Sequence, residues 1–539
     1  MSLESTSLRV LLLTLPLLTS ACSETDAPAP EPEPEEEEWD GTYTPLVDPT
    51  DWVDRGPFAP CTLAVPLGTT VADCAAPSLF DLTACDGAAL SKVEGHGIYQ
   101  AFLRPTEGNY VDFAGIRVPE DGTTGTLNFR PLTHQRLSEG FVLSSRYALG
   151  GGTRQVTLVG CAAPGEDRVT GCYARCANDK VTVAGTFDAA RMTWARGEQE
   201  SSGGLTPLSE TFVSLGLPAD LYVARGHAYV VSLELGARSP GGLTVFDVSD
   251  PRHPILRKQV TIPGDGYWNA AWAHGDTLYV ASGASGVLVF DISNPADPTY
   301  VRNVPGGAPL NVHTLFVDGD RLYAVSPEPV GDTLIFDISK PLEPRLLNRF
   351  VVSDDVSSYP SPHDSFVYQG RLYLSQFTTG YVVLDVKDPM NVQELGRYTF
   401  GSGSNGPMSH ASAVGTFAGK TLAFEGGEGP GTHLRVLDVT DPTNIPLIGR
   451  YQLREHASIH NMVLTGNRLY LAYYQEGVRV LDVSVPTQPR EIAYFNTFRE
   501  SDPYRSDFVT DGAIGIRVPG DGHVYVVDTS RGLLIFDEP

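Results

Sequence analysis

The sequence predicts an all-β protein: a seven-bladed β-propeller of four-stranded blades that closes with a terminal strand latch, preceded by a small disulfide-stapled β domain. Three observations predict this fold. Short runs rich in Val, Thr, Tyr and Phe dominate the chain, and long Ala/Leu/Glu/Lys stretches are nearly absent, which favours strands over helices. One unit recurs seven times in the C-terminal part. All seven cysteines lie before residue 177, and six of them fall between residues 61 and 176, as expected for a disulfide framework in one small domain.

The charge balance excludes some classes of partner. The chain has 38 Lys and Arg against 65 Asp and Glu, a formal net charge of −27. Nucleic-acid binding needs clustered basic residues, and so does docking on anionic lipid through a basic patch. We therefore expect no nucleic-acid partner, and contact with a membrane through a lipid anchor only.

Residues 1–21 are predicted to be a lipoprotein signal peptide. The apolar run Val10–Leu18 is too short to span a bilayer. The small residues that follow it, directly before Cys22, resemble the lipobox of bacterial lipoproteins, in which this cysteine becomes the acylated first residue. Leu18 stands one position earlier than the usual leucine. An ordinary signal peptide that is cut nearby is the alternative.

Residues 22–54 are predicted to be an acidic, proline-rich linker. Between Ser23 and Asp40 the chain carries nine carboxylates and no basic residue, so this stretch cannot bury apolar surface and should stay extended. The residue directly after Cys22 is Ser23. An Asp at this position would resemble a signal that retains lipoproteins in the inner membrane. The predicted location is therefore an exported lipoprotein of the outer membrane or cell surface.

Residues 55–200 are predicted to form the disulfide-rich β domain, joined to the next domain by a linker from Gly197 to Leu205. An even number of cysteines confined to one segment of an exported chain indicates disulfides. A zinc site is the alternative, but no C-x-x-C spacing occurs. The pairing stays open, because six cysteines allow fifteen connectivities. The candidates are Cys61, Cys74, Cys85, Cys161, Cys172 and Cys176.

The remaining chain repeats a unit written GLTVFDVSDPRHPILRKQV from Gly242 and GVLVFDISNPADPTYVRNV from Gly286. Each unit carries a marker aspartate, which we expect to accept hydrogen bonds from its own turn backbone. The markers follow one another at intervals of 44 to 55 residues, which suits a four-stranded propeller blade. They are Asp247, Asp291, Asp337, Asp385, Asp438, Asp482 and Asp537.

These seven copies in register resemble the LVIVD-repeat family of bacterial and archaeal exported β-propellers, and the resemblance covers roughly residues 205–539. It implies that this range is one propeller. The last copy ends at Pro539, directly after its third strand. Residues 206–214 resemble the outer-strand segment of another copy, so we expect them to complete the last blade with Leu208 and Phe212 buried. Closure would remove an exposed sheet edge.

Four histidines recur at equivalent places upstream of the second strand: His313, His363, His410 and His460. If they begin the inner strands, they surround one mouth of the central channel on four neighbouring blades. Three interpretations remain open. The histidines could bond turn aspartates as structural residues, form a binding site without metal, or hold iron, copper or zinc. Calcium could bind at acidic turns such as Asp318–Asp320.

The predicted function is an exported, lipid-anchored envelope propeller that serves as a binding scaffold for an envelope or extracellular protein or glycan. No serine-nucleophile elbow, zinc-protease helix or cysteine nucleophile occurs, and no cofactor is predicted beyond a transition metal or calcium. The alternative is a metal-dependent enzyme with the histidine ring on the propeller axis. Aromatic residues could line the channel or fill the gaps between blades: Tyr267, Trp268, Trp272, Tyr359, Phe377, Tyr473 and Tyr474.

Overall fold

Four-stranded antiparallel sheets follow one another along the C-terminal part of the chain. The computed structural model describes residues 39–48, 52–108, 110–136, 140–194, 198–236, 238–352, 362–377, 379–400, 408–429 and 431–539. The predicted signal peptide and Cys22 lie outside these ranges. Among the described residues, no helix combines the length and apolarity needed to cross a membrane.

Seven such sheets, here called blades 1 to 7, form the propeller within the described residues. Blade 1 consists of Leu217–Ala224, His227–Leu233, Gly242–Asp247 and Ile255–Val260. Blade 2 consists of Trp268–His274, Thr277–Ser282, Gly286–Asp291 and Thr299–Val304. Blade 3 consists of Thr314–Asp318, Arg321–Ser326, Asp332–Asp337 and Arg345–Val351. Blade 4 consists of Asp364–Tyr368, Arg371–Gln376, Gly380–Asp385 and Gln393–Tyr398.

The last three blades follow the same pattern, except that the chain before blade 1 supplies a fifth strand to blade 6 and the fourth strand of blade 7. Blade 5 consists of Ser409–Phe417, Lys420–Gly427, Leu434–Asp438 and Leu447–Tyr451. Blade 6 consists of Met462–Thr465, Arg468–Ala472, Val478–Asp482 and Arg490–Phe495, with Ser201–Ser202 as a fifth strand. Blade 7 consists of Ala513–Arg517, His523–Asp528 and Gly532–Asp537, completed by Pro207–Thr211. The predicted seven-bladed propeller is confirmed.

The marker aspartates end the third strands and hold the turns that follow. Six of them accept a bond of 2.8–3.1 Å from the backbone N–H two residues ahead. The hydroxyl and backbone of Ser339 and the guanidinium of Arg345 lower the pKa of Asp337 to about 2. Asp537 differs, since its Oδ1 lies 3.6 Å from Nε2 of His523. The third strands themselves are almost fully buried, because each is covered by blades on both faces.

The closing strand is the one predicted from the repeat. Pro207–Thr211 pairs antiparallel with Gly532–Asp537 and completes blade 7. The prediction that Phe212 is buried is wrong: its side chain is 46% exposed and stacks on Tyr504 with ring centroids 6.0 Å apart. Phe212 lies beyond the end of the strand at Thr211, and the next residue, Val213, enters the core with no exposed surface. Leu208 packs against the same core, partly buried.

The N-terminal domain is a nine-stranded antiparallel sheet. In sheet order its strands are Arg130–Pro131, Thr126–Leu127, Asp112–Val118, Gly97–Pro105, Lys180–Arg191, Arg168–Ala177, Gly152–Gly165, Val142–Leu149 and His134–Arg136. The strands Thr62–Leu63 and Phe80–Asp81 form a small second sheet, and Pro77–Leu79 and Ala89–Lys92 are short 3-10 helices. The predicted disulfide framework is confirmed, with the pairs Cys61–Cys172, Cys74–Cys176 and Cys85–Cys161. Each bond joins one of the three cysteines before residue 86 to one of the three after residue 160.

The N-terminal domain docks on the loop that connects blade 6 to blade 7. Glu500 of this loop accepts hydrogen bonds from the guanidinium of Arg191 and, at 2.8 Å, from the backbone N–H of Ile98. Asp507 approaches so closely that a Cβ on Gly115 would stand 1.6 Å from its carbonyl oxygen. Only glycine fits at this contact. The strand Ser201–Ser202, which adds to blade 6, falls inside the range predicted as an interdomain linker.

Residues 39–48 fall inside the range predicted as the acidic linker, yet they pack on the propeller. Trp39 and Tyr43 contact the apolar core shared by blades 5 and 6. The hydroxyl of Tyr43 donates to Oδ2 of Asp438 at 2.7 Å, and the backbone N–H of Leu46 donates to the carbonyl of Leu447 at 2.8 Å. The two aromatic residues supply the apolar surface that the acidic stretch before them lacks.

Candidate functional site

The four repeated histidines lie side by side at one mouth of the channel. They stand at or just before the start of the inner strands of blades 3 to 6. The ring centroids are 4.2 Å apart for His313 and His363, 4.3 Å for His363 and His410, and 4.3 Å for His410 and His460. The structure thus brings together all four histidines that the repeat singles out. His363 and His410 are buried, and the outer two are half-buried.

Hydrogen bonds connect several neighbouring blades at this level of the channel. Nδ2 of Asn269 donates to the carbonyl of His313 at 3.0 Å. Nδ1 of His410 donates to the carbonyl of His460 at 3.1 Å, and Nδ1 of His460 donates to the carbonyl of Ile514 at 2.6 Å. Since a carbonyl only accepts, the proton of these two rings is on Nδ1. The rings of His410 and His460 therefore bond backbone carbonyls of the next blade, whereas the ring of His313 bonds the side-chain amide of Asn269 in the preceding blade.

Burial keeps the four imidazoles neutral. It lowers the pKa of His313 to about 4 and the pKa values of His410 and His460 to about 3 each. For His363 burial and the neighbouring rings lower the pKa well below its usual value. A neutral imidazole keeps one nitrogen lone pair available to a hydrogen-bond donor or a metal ion.

Loops between the second and third strands place three more side chains over the histidines. The ring of Phe377 from blade 4 lies 4.1 Å from that of His363, and the ring of Tyr474 from blade 6 lies 5.0 Å from that of His460. Between them, blade 5 contributes Glu428. Oε2 of Glu428 is 3.6 Å from Nε2 of His410, and Oε1 accepts a 2.5 Å bond from the Tyr474 hydroxyl.

Glu428 changes the composition of the site from the one predicted. One ligand atom from each of His363, His410 and Glu428 lies within 4.8 Å of the other two. The outer histidine His313 is engaged elsewhere, because its Nε2 accepts a 3.2 Å bond from the Asn269 amide. The sequence analysis did not identify Glu428, because it lies in a glycine-rich stretch that is typical of a turn. A comparison of equivalent loops would have indicated it, since the same loop carries an aromatic residue over the histidines in blades 4 and 6.

A cavity of about 350 Å³ continues from the histidines into the channel. Asp220 lies in its wall and accepts bonds from the Arg517 guanidinium at 3.0 Å and the Ala271 N–H at 3.2 Å. Burial raises the pKa of Asp364 to about 7. A row of aromatic rings lines the far side, with successive centroids 5.3, 4.7 and 4.9 Å apart: Tyr222, Trp272, Phe316 and Phe366.

The other residues singled out in the sequence have different places. Trp268 is fully buried and its indole donates to Asp265 at 2.9 Å, and Tyr473 is in the core shared by blades 5 and 6. Tyr267 is 39% exposed, and Tyr359 lies outside the described residues. The turn Asp318–Asp320 is exposed, and no cluster of three ligands among the described residues includes it.

The comparison with protein-family models agrees with the repeat architecture. Residues 220–262, 265–305 and 458–497 match the LVIVD repeat. No curated protein matches the chain. Among solved structures, it is similar to the WD40 β-propeller domain of Doa1, with 9% identity over 62% of this chain and 97% of that chain and a TM-score of 0.44. It is also similar to U3-55K, with 8% identity over 63% and 100% of the two chains and a TM-score of 0.45. The chain is a β-propeller repeat protein, an architecture commonly used as an interaction scaffold.

Proposed function

We propose that this protein is an exported, lipid-anchored scaffold of the cell envelope that binds a protein or glycan partner. The observation that carries the proposal is an aromatic surface where the N-terminal domain meets the propeller. We define this junction patch as Phe129, Phe212, Tyr504 and Phe508, whose side chains are between 38 and 62% exposed.

The junction patch has the composition of a binding surface. The rings of Phe129 and Phe508 lie 5.1 Å apart, Phe212 stacks on Tyr504, and the guanidinium of Arg238 lies 4.9 Å from the Tyr504 ring centroid. Exposed aromatic residues together with arginine are enriched in interfaces, and aromatic faces also stack on sugar rings. Phe129 comes from the N-terminal domain, Phe212 from the end of the closing strand, and Tyr504 and Phe508 from the loop between blades 6 and 7, so the patch spans both domains.

Variants of the junction patch test the scaffold function. Tyr504→Ala combined with Phe508→Ala should abolish cross-linking of the full chain to its envelope partner, and a glycan array with the same variants distinguishes a sugar ligand. Met390→Ala is the matched control, because Met390 is 64% exposed on blade 4 and away from the patch. A partner captured equally by all variants would show that binding occurs elsewhere. Capture of no partner and no glycan would refute the scaffold function.

The disulfides support export, and the N-terminal sequence supports lipid anchoring. Disulfides are typical of oxidising compartments outside the cytoplasm, and six cysteines are paired here. Cys22→Ala should move the protein from the membrane fraction to the soluble fraction. If the variant stays in the membrane fraction, acylation of Cys22 is not the anchor.

A metal-dependent enzyme is the second candidate, and one observation favours it. His410 and His460 line a cavity that also contains the carboxyl group of Asp364, and Glu428 lies 3.6 Å from Nε2 of His410, so groups able to transfer protons stand beside groups able to bind a metal ion. A substrate screen of the full chain, with and without added zinc or ferrous iron, tests this candidate. Metal-dependent turnover that is lost in Glu428→Gln supports it, and absence of turnover with bound metal refutes it.

A further inference from the structure

We propose that His363, His410 and Glu428 bind one divalent transition-metal ion at the channel mouth, with zinc or ferrous iron as the chemical class. The inference deepens the second candidate function. It is independent of the scaffold function, and it concerns binding whether or not a reaction takes place.

The spacing of the three groups suits a small ion. Metal ligands lie about 2.0–2.2 Å from zinc, so two ligands at a tetrahedral angle stand about 3.4 Å apart. Nε2 of His410 and Oε2 of Glu428 are already 3.6 Å apart, and all three ligand atoms lie within 4.8 Å of one another. Modest rotation of side chains would bring them to bonding distance.

Among the residues that the structure describes, two buried nitrogen atoms at this place have no hydrogen-bond partner. They are Nδ1 of His363 and Nε2 of His410, in side chains that are only 6% and 2% exposed. Buried polar atoms are rarely left in this state, because losing water without a replacement costs free energy. A metal ion between His410 and Glu428 would satisfy these groups and neutralise the carboxylate.

Neighbouring groups hold two of the three ligands, His410 and Glu428, in the orientation that metal sites use. Nδ1 of His410 donates to the carbonyl of His460, which leaves Nε2 unprotonated and directed at Glu428. The hydroxyl of Tyr474 donates to the other oxygen of Glu428. Bonds of this kind fix the tautomer of a ligating histidine and the direction of a ligating carboxylate.

Two histidines and one carboxylate leave coordination positions open. This set of ligands is known from non-haem iron sites, and three protein ligands with an open position are typical of catalytic zinc. His313 is excluded as a ligand through Nε2 in this geometry, because that nitrogen accepts a bond from Asn269. It therefore offers a control in the same layer of the channel.

The test measures metal binding by the full chain, purified without a histidine tag. After reconstitution and dialysis, elemental analysis should find about one zinc ion per chain, and cobalt should give the absorption bands of a low-coordinate protein site. Glu428→Gln and His363→Ala should lose binding, Tyr474→Phe should weaken zinc affinity by about tenfold or more, and His313→Gln should leave it unchanged. Circular dichroism and melting curves establish that each variant is folded, and Glu428→Gln keeps the shape of the side chain.

Two results would overturn the inference. The first is less than about 0.1 ion per chain in the folded wild-type protein after reconstitution with zinc, ferrous iron or cobalt. The second is a loss of binding in His313→Gln as large as the loss in Glu428→Gln. Stoichiometric metal without turnover would leave the site standing while refuting the enzyme candidate. Absence of metal would leave the scaffold function untouched.

Discussion

Val213 is predicted to be the main apolar anchor of the closing strand. Its side chain has no exposed surface. It packs with Leu221, Leu533 and Ile535 in the core between blades 7 and 1. Val213→Ala removes the equivalent of two methylene groups, about 1.6 kcal/mol of transfer free energy at about 0.8 kcal/mol each. With the cavity left behind, we expect a loss of about 2–3 kcal/mol, a large part of a typical margin of about 5–15 kcal/mol.

The neighbouring Phe212 provides the matched control. Although its side chain is larger, it is 46% exposed, so Phe212→Ala should cost only the stacking on Tyr504, about 1 kcal/mol or less. Urea unfolding of the full chain, followed by its tryptophan fluorescence, measures both changes through the shift in midpoint. If Phe212→Ala destabilised the protein as much as Val213→Ala, the assignment of Val213 as the main apolar anchor of the closing strand would be refuted.

Three further predictions concern the N-terminal domain and its contact with the propeller. Burial lowers the pKa of His456 to about 4, below its unfolded value, so stability is present above about pH 6.5 and is lost as the pH falls. Between pH 7.5 and 5 the wild type should lose about 2 kcal/mol more than His456→Gln in urea unfolding, and equal losses would contradict this. Glu500→Gln removes a charge partner of the largely buried Arg191 and should cost about 1–3 kcal/mol, seen as faster hydrogen exchange in the N-terminal domain; unchanged exchange would contradict it. Replacing Cys61 and Cys172 by serine opens a loop with a sequence separation of 111 and should destabilise that domain by about 3–5 kcal/mol, with an unchanged melting temperature as the contrary result.

The propeller could be predicted because its signals are local and repeated. Each copy carries its own alternating strand and marker aspartate, so seven copies in register specify seven blades. The closing strand could be found because Pro207–Thr211 resembles other outer strands. The direction of its side chains could not, because the register of a strand depends on its partner. This is why Phe212 was assigned to the core in place of Val213.

The contacts that complete the candidate site are not local. Glu428 reaches His410 only because the second and third strands of blade 5 return to the channel mouth, and Tyr474 reaches Glu428 from the next blade. Docking of the N-terminal domain depends on pairs such as Ile98 and Glu500, which are separated by 402 positions. Pairs so distant in sequence leave no pattern in a single chain.

The packing of residues 39–48 on blade 5 has a consequence for orientation at a membrane. Gly41 lies against Ala418, and Tyr43 bonds Asp438. The first and third strands of blade 5 are both antiparallel to the second strand, so both run away from the channel mouth. Ala418 and Asp438 lie at the far ends of these two strands, opposite His410. Sixteen residues separate Cys22 from Trp39, a reach of at most about 60 Å at about 3.3–3.6 Å per residue. If Cys22 carries a lipid, the attachment reaches the propeller at Trp39, on the face opposite the histidine mouth, so a molecule from the medium can approach that mouth without passing the attachment point.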